Sequence, residues 1–156
     1  MNNPHEVGPE LTVDDDGFVS WPDFHDSQVI AVRLDYGGRR AFDALDASVY
    51  IRFLSTEGDI WDLCCMSVHK RGISIVGFAY QNEILDVRIY SDFVLNPAEM
   101  GSLVPSHWRA SDDAAAHDAL RRDIAEQALR LVVVEPAIGA RILVICKGVK
   151  LLSLKS

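Results

Sequence analysis

The stretch Trp21 to Asp35, WPDFHDSQVIAVRLD, places His25 beside Asp26 just before an apolar run with strand character. A histidine next to a carboxylate is the pair from which acid–base catalysis is built: the imidazole moves a proton near neutral pH and the carboxylate orients it. Neighbouring residues that enter a strand point to opposite faces, however, so adjacency in sequence does not supply the orienting bond. An architectural reading is simpler. Phe24 anchors the start of the strand in the core, Asp26 accepts backbone N–H groups in an Asx-type turn, and His25 stays neutral with one ring nitrogen bonded to a carbonyl.

Other residues with chemical potential are more scattered. Asp113 and His117 stand one helical turn apart and share a face, with His107 close in sequence; they are the weak metal candidates. A metal centre needs several such ligands to converge, and a solvated helix face is the ordinary reading of two. His69 precedes Lys70 and Arg71 and reads as the end of a strand. No GxSxG, SxxK or phosphate-binding GK[ST] loop is present; YGGRR at 36–40 lacks that ending and leads into another strand. Cys64, Cys65 and Cys146 are odd in number and lie in apolar runs without a CxxC, which reads as buried thiols rather than disulfides or a zinc site. Adjacent in a strand, Cys64 and Cys65 cannot both face one core. Trp61 and Trp108 read as core or loop anchors before they read as binding hot spots.

Charge narrows the functional class. Fifteen Lys and Arg stand against 23 Asp and Glu, a formal net charge of −8. That argues against a nucleic-acid partner, because phosphate binding draws its affinity from cations. It suits solubility, or a basic protein partner steered in by the field of the whole molecule. The first 20 residues carry no basic start and no apolar core of a signal peptide, and no apolar run approaches the length that spans a membrane. The expectation is a cytoplasmic protein with no membrane association and no cofactor.

The elements that position these residues follow from periodicity. One domain over residues 1–156 is expected, with 1–20 an irregular acidic lead-in in which Asp14 to Asp16 form a mobile loop, and with a short strand at Phe18 to Trp21. A strand beginning near Ser27 should end at the paired glycines Gly37 and Gly38. In ALDASVYIRFLS, Leu45, Ala47, Val49, Ile51 and Phe53 alternate with polar residues, the signature of a half-buried antiparallel strand. IWDLCCMSVH reads as a third strand, KRG at 70–72 as a tight connection, and ISIVGFAY as a fourth strand interrupted at Gly77. Gln81 and Asn82 sit in the turn of a following hairpin, since Asn tolerates the left-handed region. In ILDVRIYSDF, Leu85, Val87 and Ile89 should face the core. Residues 96–110 read as loop. SDDAAAHDALRRDIAEQALRL predicts the one main helix, about 111–129, with Ser111 as N-cap and Ala116, Leu120, Ile124 and Leu131 on one face. Whether LRLVVVEP is still helix or already strand stays open. ARILVICKGVKLLSLKS closes the chain as one long strand, or two bent at Gly148, apolar on both faces and hence central.

WPDFHDSQVIAVRLD, GISIVGFAYQNEILDVRIYSD and PAIGARILVICKGVKLLSL together resemble a group of small bacterial domains. Their hallmark is an aromatic-His-Asp step before the first strand, followed by a Gly-Phe step and a Gln-Asn turn. Some members are classed as immunity proteins of polymorphic-toxin systems. The resemblance implies a protein that binds another protein and catalyses nothing, and it defines no contact residues; the candidate functional residues are His25, Asp26, Gln81 and Asn82. The fold expectation is α+β, mostly antiparallel β: a strongly curved sheet or barrel-like sandwich with one main helix. The functional expectation is a non-enzymatic, immunity-like binding domain that occludes a toxin or other basic partner. A small hydrolase using His25 and Asp26 in a cleft and a structural, homo-oligomer-forming domain are the alternatives.

Overall fold

A computed structural model describes residues 7–35, 47–79, 81–91 and 110–154, with the side chains at 70, 71 and 110–117 outside that description. Among the described residues eight strands and one helix follow in the order β1 (Thr12–Val13), β2 (Val19–Trp21), β3 (Gln28–Asp35), β4 (Ser48–Leu54), β5 (Ile60–Val76), β6 (Glu83–Tyr90), α1 (Ala110–Gln127), β7 (Arg130–Ile138) and β8 (Arg141–Leu154). Every pairing between these strands is antiparallel, and six of them close a hydrogen-bonded ring in the order β3-β4-β5-β8-β7-β6. The expected mostly antiparallel, strongly curved sheet with one main helix is what the chain forms.

The alternation in β4 does what its period demands. Val49, Ile51 and Phe53 are fully buried and pair with Cys65, Leu63 and Trp61 of β5, while Tyr50 and Arg52 turn outward. The ring interior is filled by these residues with Val29, Ile84, Val87, Ile89 and the inward half of β7 and β8. Truncating a side chain as large and enclosed as Phe53 to alanine should cost about 3–5 kcal/mol. β8 is apolar on both faces for the reason expected of a central strand: Ile142, Val144 and Cys146 face the interior, and Leu143 and Ile145 face a second cluster beneath Leu120 and Ile124 of α1. The helix ends where Ala128 takes φ 50° and the Leu129 N–H donates to the Ile124 carbonyl, a left-handed cap of a kind more often made by glycine. Leu131 therefore belongs to β7, beside the helix face rather than on it.

Several expectations change. The third and fourth strands are one 17-residue strand, β5. KRG is not a turn, because β8 is long enough to pair on both sides of it: Val68 pairs with Cys146 and Ile73 with Val144, so residues 69–72 bulge opposite Ile145 alone. Gly72 lies against Ile145, where an added Cβ would sit 2.8 Å from the isoleucine Cβ. β5 ends at Gly77, whose φ of 80° suits glycine, and Phe78 follows in non-strand backbone; Tyr80 lies outside the described residues. Gln81 and Asn82 do not join a hairpin, since β6 pairs with β3 and β7 and not with β5. Leu85 faces solvent. A register shift between Ile84 and Asp86 gives the inward position to Ile84, opposite Pro136, which has no N–H for the ladder.

Residues 7–20, the described part of the expected irregular lead-in, are built into the fold. β1 and β2 form a hairpin, and Asp14 Oδ1 accepts the N–H groups of Asp16 and Phe18, each at 2.9 Å, so the acidic run is a closed turn. Gly17 accepts the Ile89 N–H and Phe18 lies under the Arg88 guanidinium, which seats the hairpin on β6. Glu10 accepts the Leu151 N–H on the other side. YGGRR and the greater part of the 96–110 loop fall outside the described residues.

Candidate functional site

The ring closes at one narrow seam, and four candidate residues from the sequence meet there. β3 and β6 share the register pair Gln28–Glu83. Around it the Val29 N–H donates to the Asn82 carbonyl, Ile84 N–H to Ser27 and Asp26 N–H to Ile84, at 2.9–3.0 Å. His25, Asp26 and Asn82 are thus brought together by the closure itself, with Gln81 exposed beside them.

Each side chain has a distinct role at the seam. Phe24 is buried and packs on Phe53, ring centroids 4.6 Å apart, as the anchoring reading expects. The Nδ1–H of His25 donates to the Leu85 carbonyl at 2.9 Å; a carbonyl can only accept, so this nitrogen carries the proton. Nε2 lies 3.5 Å from Asp26 Oδ1. The neutral ring would turn a bare nitrogen toward a carboxylate, and protonation turns that into an attraction. The Leu85 bond and Asp26, with smaller contributions from Asp23 and Glu83, hold the His25 pKa above its ordinary value. The Asx turn belongs to Asp23, whose Oδ1 accepts the His25 N–H at 3.0 Å. Asp26 instead adopts φ 64°, a left-handed conformation that aspartate tolerates better than most side chains.

Asn82 is structural. Buried, it donates to the Ala79 carbonyl at 2.7 Å, and its Oδ1 accepts the N–H groups of Ala79 at 2.9 Å and Ala140 at 3.1 Å, tying the β5–β6 connection to the β7–β8 turn. That turn passes so close that a Cβ on Gly139, at φ 90°, would stand 2.5 Å from Asn82 Oδ1.

No known family, curated protein or solved structure matches this chain. Its chemistry is read from the arrangement alone. A hydrolase using His25 would set that ring in a cleft with other polar groups converging on it. The His25 side chain is 56% exposed instead. A surface hollow of about 570 Å³ beside the β1–β2 hairpin is lined by other residues, among them Asp14, Tyr90 and Arg130. Among the described residues no three His, Cys, Asp or Glu side chains converge as metal ligands. Asp113 and His117 lie on α1 with their side chains outside the description. No helix among the described residues is long and apolar enough to cross a membrane.

Two polar constellations escaped sequence reasoning. His69 lies within the β5 bulge, not at a strand end, and its buried ring meets Asp123 of α1 at 2.6 Å. On the outer face of the ring, Arg52 grips Asp62 through two bonds of 2.8 and 3.0 Å, beside Arg33 stacked over Tyr50. The signal for the second was present in the register: Arg52 and Asp62 are direct cross-strand partners.

Proposed function

We propose that this chain is a non-enzymatic, immunity-like protein-binding domain that uses the β3–β6 seam to occlude a basic partner. The observation that carries this reading is the composition of the seam surface. Trp21 is 60% exposed and Leu85 is turned outward by its bulge, while Asp23, Asp26 and Glu83 all lie near enough to act on the charge of His25. Exposed apolar anchors ringed by charge of one sign are the makings of a protein contact that electrostatics steers. The backbone beneath is fixed by the Phe24 anchor and the ring closure, so the surface is organised before a partner arrives.

The test is affinity capture from the source cell with the wild-type chain and with an Asp26→Asn/Glu83→Lys variant. Asparagine keeps the tolerance for φ 64°, and the half-buried Glu83 joins the seam through its backbone register with Gln28, which lysine retains, so the variant should melt like the wild type. A basic protein retained by the wild type and weakened about tenfold or more in the variant supports the reading, since a buried or rim charge pair is worth roughly that much. Equal retention by both, or capture of no basic protein, overturns it.

A further inference from the structure

The outer face of β3, β4, β5 and β8 carries a feature opposite in sign to the seam. Register places Arg33, Tyr50, Cys64 and Lys150 in one row across four strands, and Ala31, Arg52, Asp62 and Leu152 in the next. Their neighbours Val32, Ile51 and Leu63 point into the core, so both rows face away from it. In a chain of net charge −8, three cations are thereby set on one patch of sheet.

Within the patch is a hollow of about 120 Å³ lined by Ala31, Arg33, Tyr50, Arg52 and Asp62. Ala31 leaves the space: every other lining side chain is longer. Asp62 is 6% exposed and spends both oxygens on Nε and Nη2 of Arg52, which fixes the guanidinium and leaves Nη1 outside both bonds. Arg33 stacks over the Tyr50 ring at 4.3 Å, and stacking uses the face of a guanidinium while its N–H groups lie in the edge. Among the described residues Arg33 meets a ring and no carboxylate. The result is two oriented guanidiniums bordering a space the size of a small oxyanion, with one buried carboxylate already neutralised by one of them.

We propose that this hollow binds an oxyanion, a carboxylate or phosphate group, between Arg33 and Arg52. Planar N–H arrays suit such groups, and hydrogen bonds between ionised partners are the strong ones. Lys150, one row away, adds to the local potential without lining the hollow. The site shares β3 with the seam, but it lies where β3 pairs with β4 and does not depend on the β3–β6 closure.

The experiment is a titration of the ¹⁵N-labelled chain with sodium phosphate and, separately, sodium acetate, against sodium chloride at matched ionic strength. Saturable shifts centred on Ala31, Arg52 and the Arg52 Nε–H support the site; phosphate alone, acetate alone or both producing them tells which group it takes. Arg33→Gln removes one guanidinium and Ala31→Val fills the space while leaving every charge, and valine is at home in a strand. Neither replaces a member of the Arg52–Asp62 pair. Each should weaken the anion about tenfold or more, the value of one charge-assisted bond, with thermal unfolding in chloride unchanged. If neither phosphate nor acetate differs from chloride, or if Ala31→Val binds as the wild type does, the hollow is not a site and Arg52 and Asp62 are only a cross-strand ion pair.

Discussion

Nε2 of His69 lies 2.6 Å from Oδ2 of Asp123, joining the bulge of β5 to α1 across 54 residues of chain. The bulge is what makes the contact: four residues opposite one re-aim the side chain from the ladder toward the helix. The imidazole is 4% exposed and Asp123 30%. Together with Leu120 and Ile124 packed on Leu143 and Ile145, the pair fixes the helix on the outside of the ring.

His69→Ala should therefore destabilise the fold by about 1–3 kcal/mol, the cost of removing a buried polar partner and leaving the site unfilled. Asp123→Asn keeps a side-chain oxygen within reach and should cost less. Urea unfolding followed by far-UV circular dichroism measures both. Equal and negligible losses would show that apolar packing alone holds the helix.

The Gln81–Asn82 step separates into two residues of different kind. Asn82→Ala orphans the buried N–H of Ala140 and loses the acceptor of the more exposed Ala79 N–H, and should cost about 1–3 kcal/mol. Gln81→Ala, on the surface, should stay within about 0.5 kcal/mol of the wild type. Both are read from the same urea titration. A mild Asn82→Ala would mean that water replaces the amide.

The sequence is legible where one face is buried and the period is clean. β4 and the helix register of Leu120 and Ile124 follow directly from alternation and 3.6-residue spacing. It misleads at residues 69–72, where local polarity and a glycine signal a turn but the length of β8 imposes a strand. Leu85 fails for a related reason: the alternation of β6 is broken by a bulge facing Pro136, on a strand some 50 residues later. At the site, the anchoring of Phe24 and the carbonyl bond of His25 could be anticipated locally. The acceptor Leu85 could not, nor could the convergence of His25 with Asn82, because both depend on which strands close the ring.

His25 should titrate above 6.5, its ordinary value, because its Leu85 bond and Asp26 favour the imidazolium. The sign for stability follows from linkage. A pKa raised on folding means that the native state holds the proton more tightly, so the contribution is full below the unfolded value and disappears as pH rises through the folded one. NMR titration of the His25 Cε1–H gives the folded pKa. Asp26→Asn should lower it while leaving the Leu85 bond in place; an unchanged value would assign the shift to the carbonyl alone.

The three thiols should be inert in the native protein. Cys64, Cys65 and Cys146 are all buried and free. The Cys65 thiol is pushed well up by its hydrogen bond with Cys146 and by burial, and the Cys64 thiol is pushed up by burial. Since the thiolate is the reactive form, both exposure and ionisation oppose modification. A disulfide-exchange reagent at pH 8 should label no cysteine within the time in which it labels all three in 6 M guanidinium. Labelling that appears on addition of low urea, before the global transition, would locate a local opening between β5 and β8, the two long strands that hold Cys65 and Cys146. Labelling in native buffer at the unfolded rate would contradict the packed interior on which the ring depends.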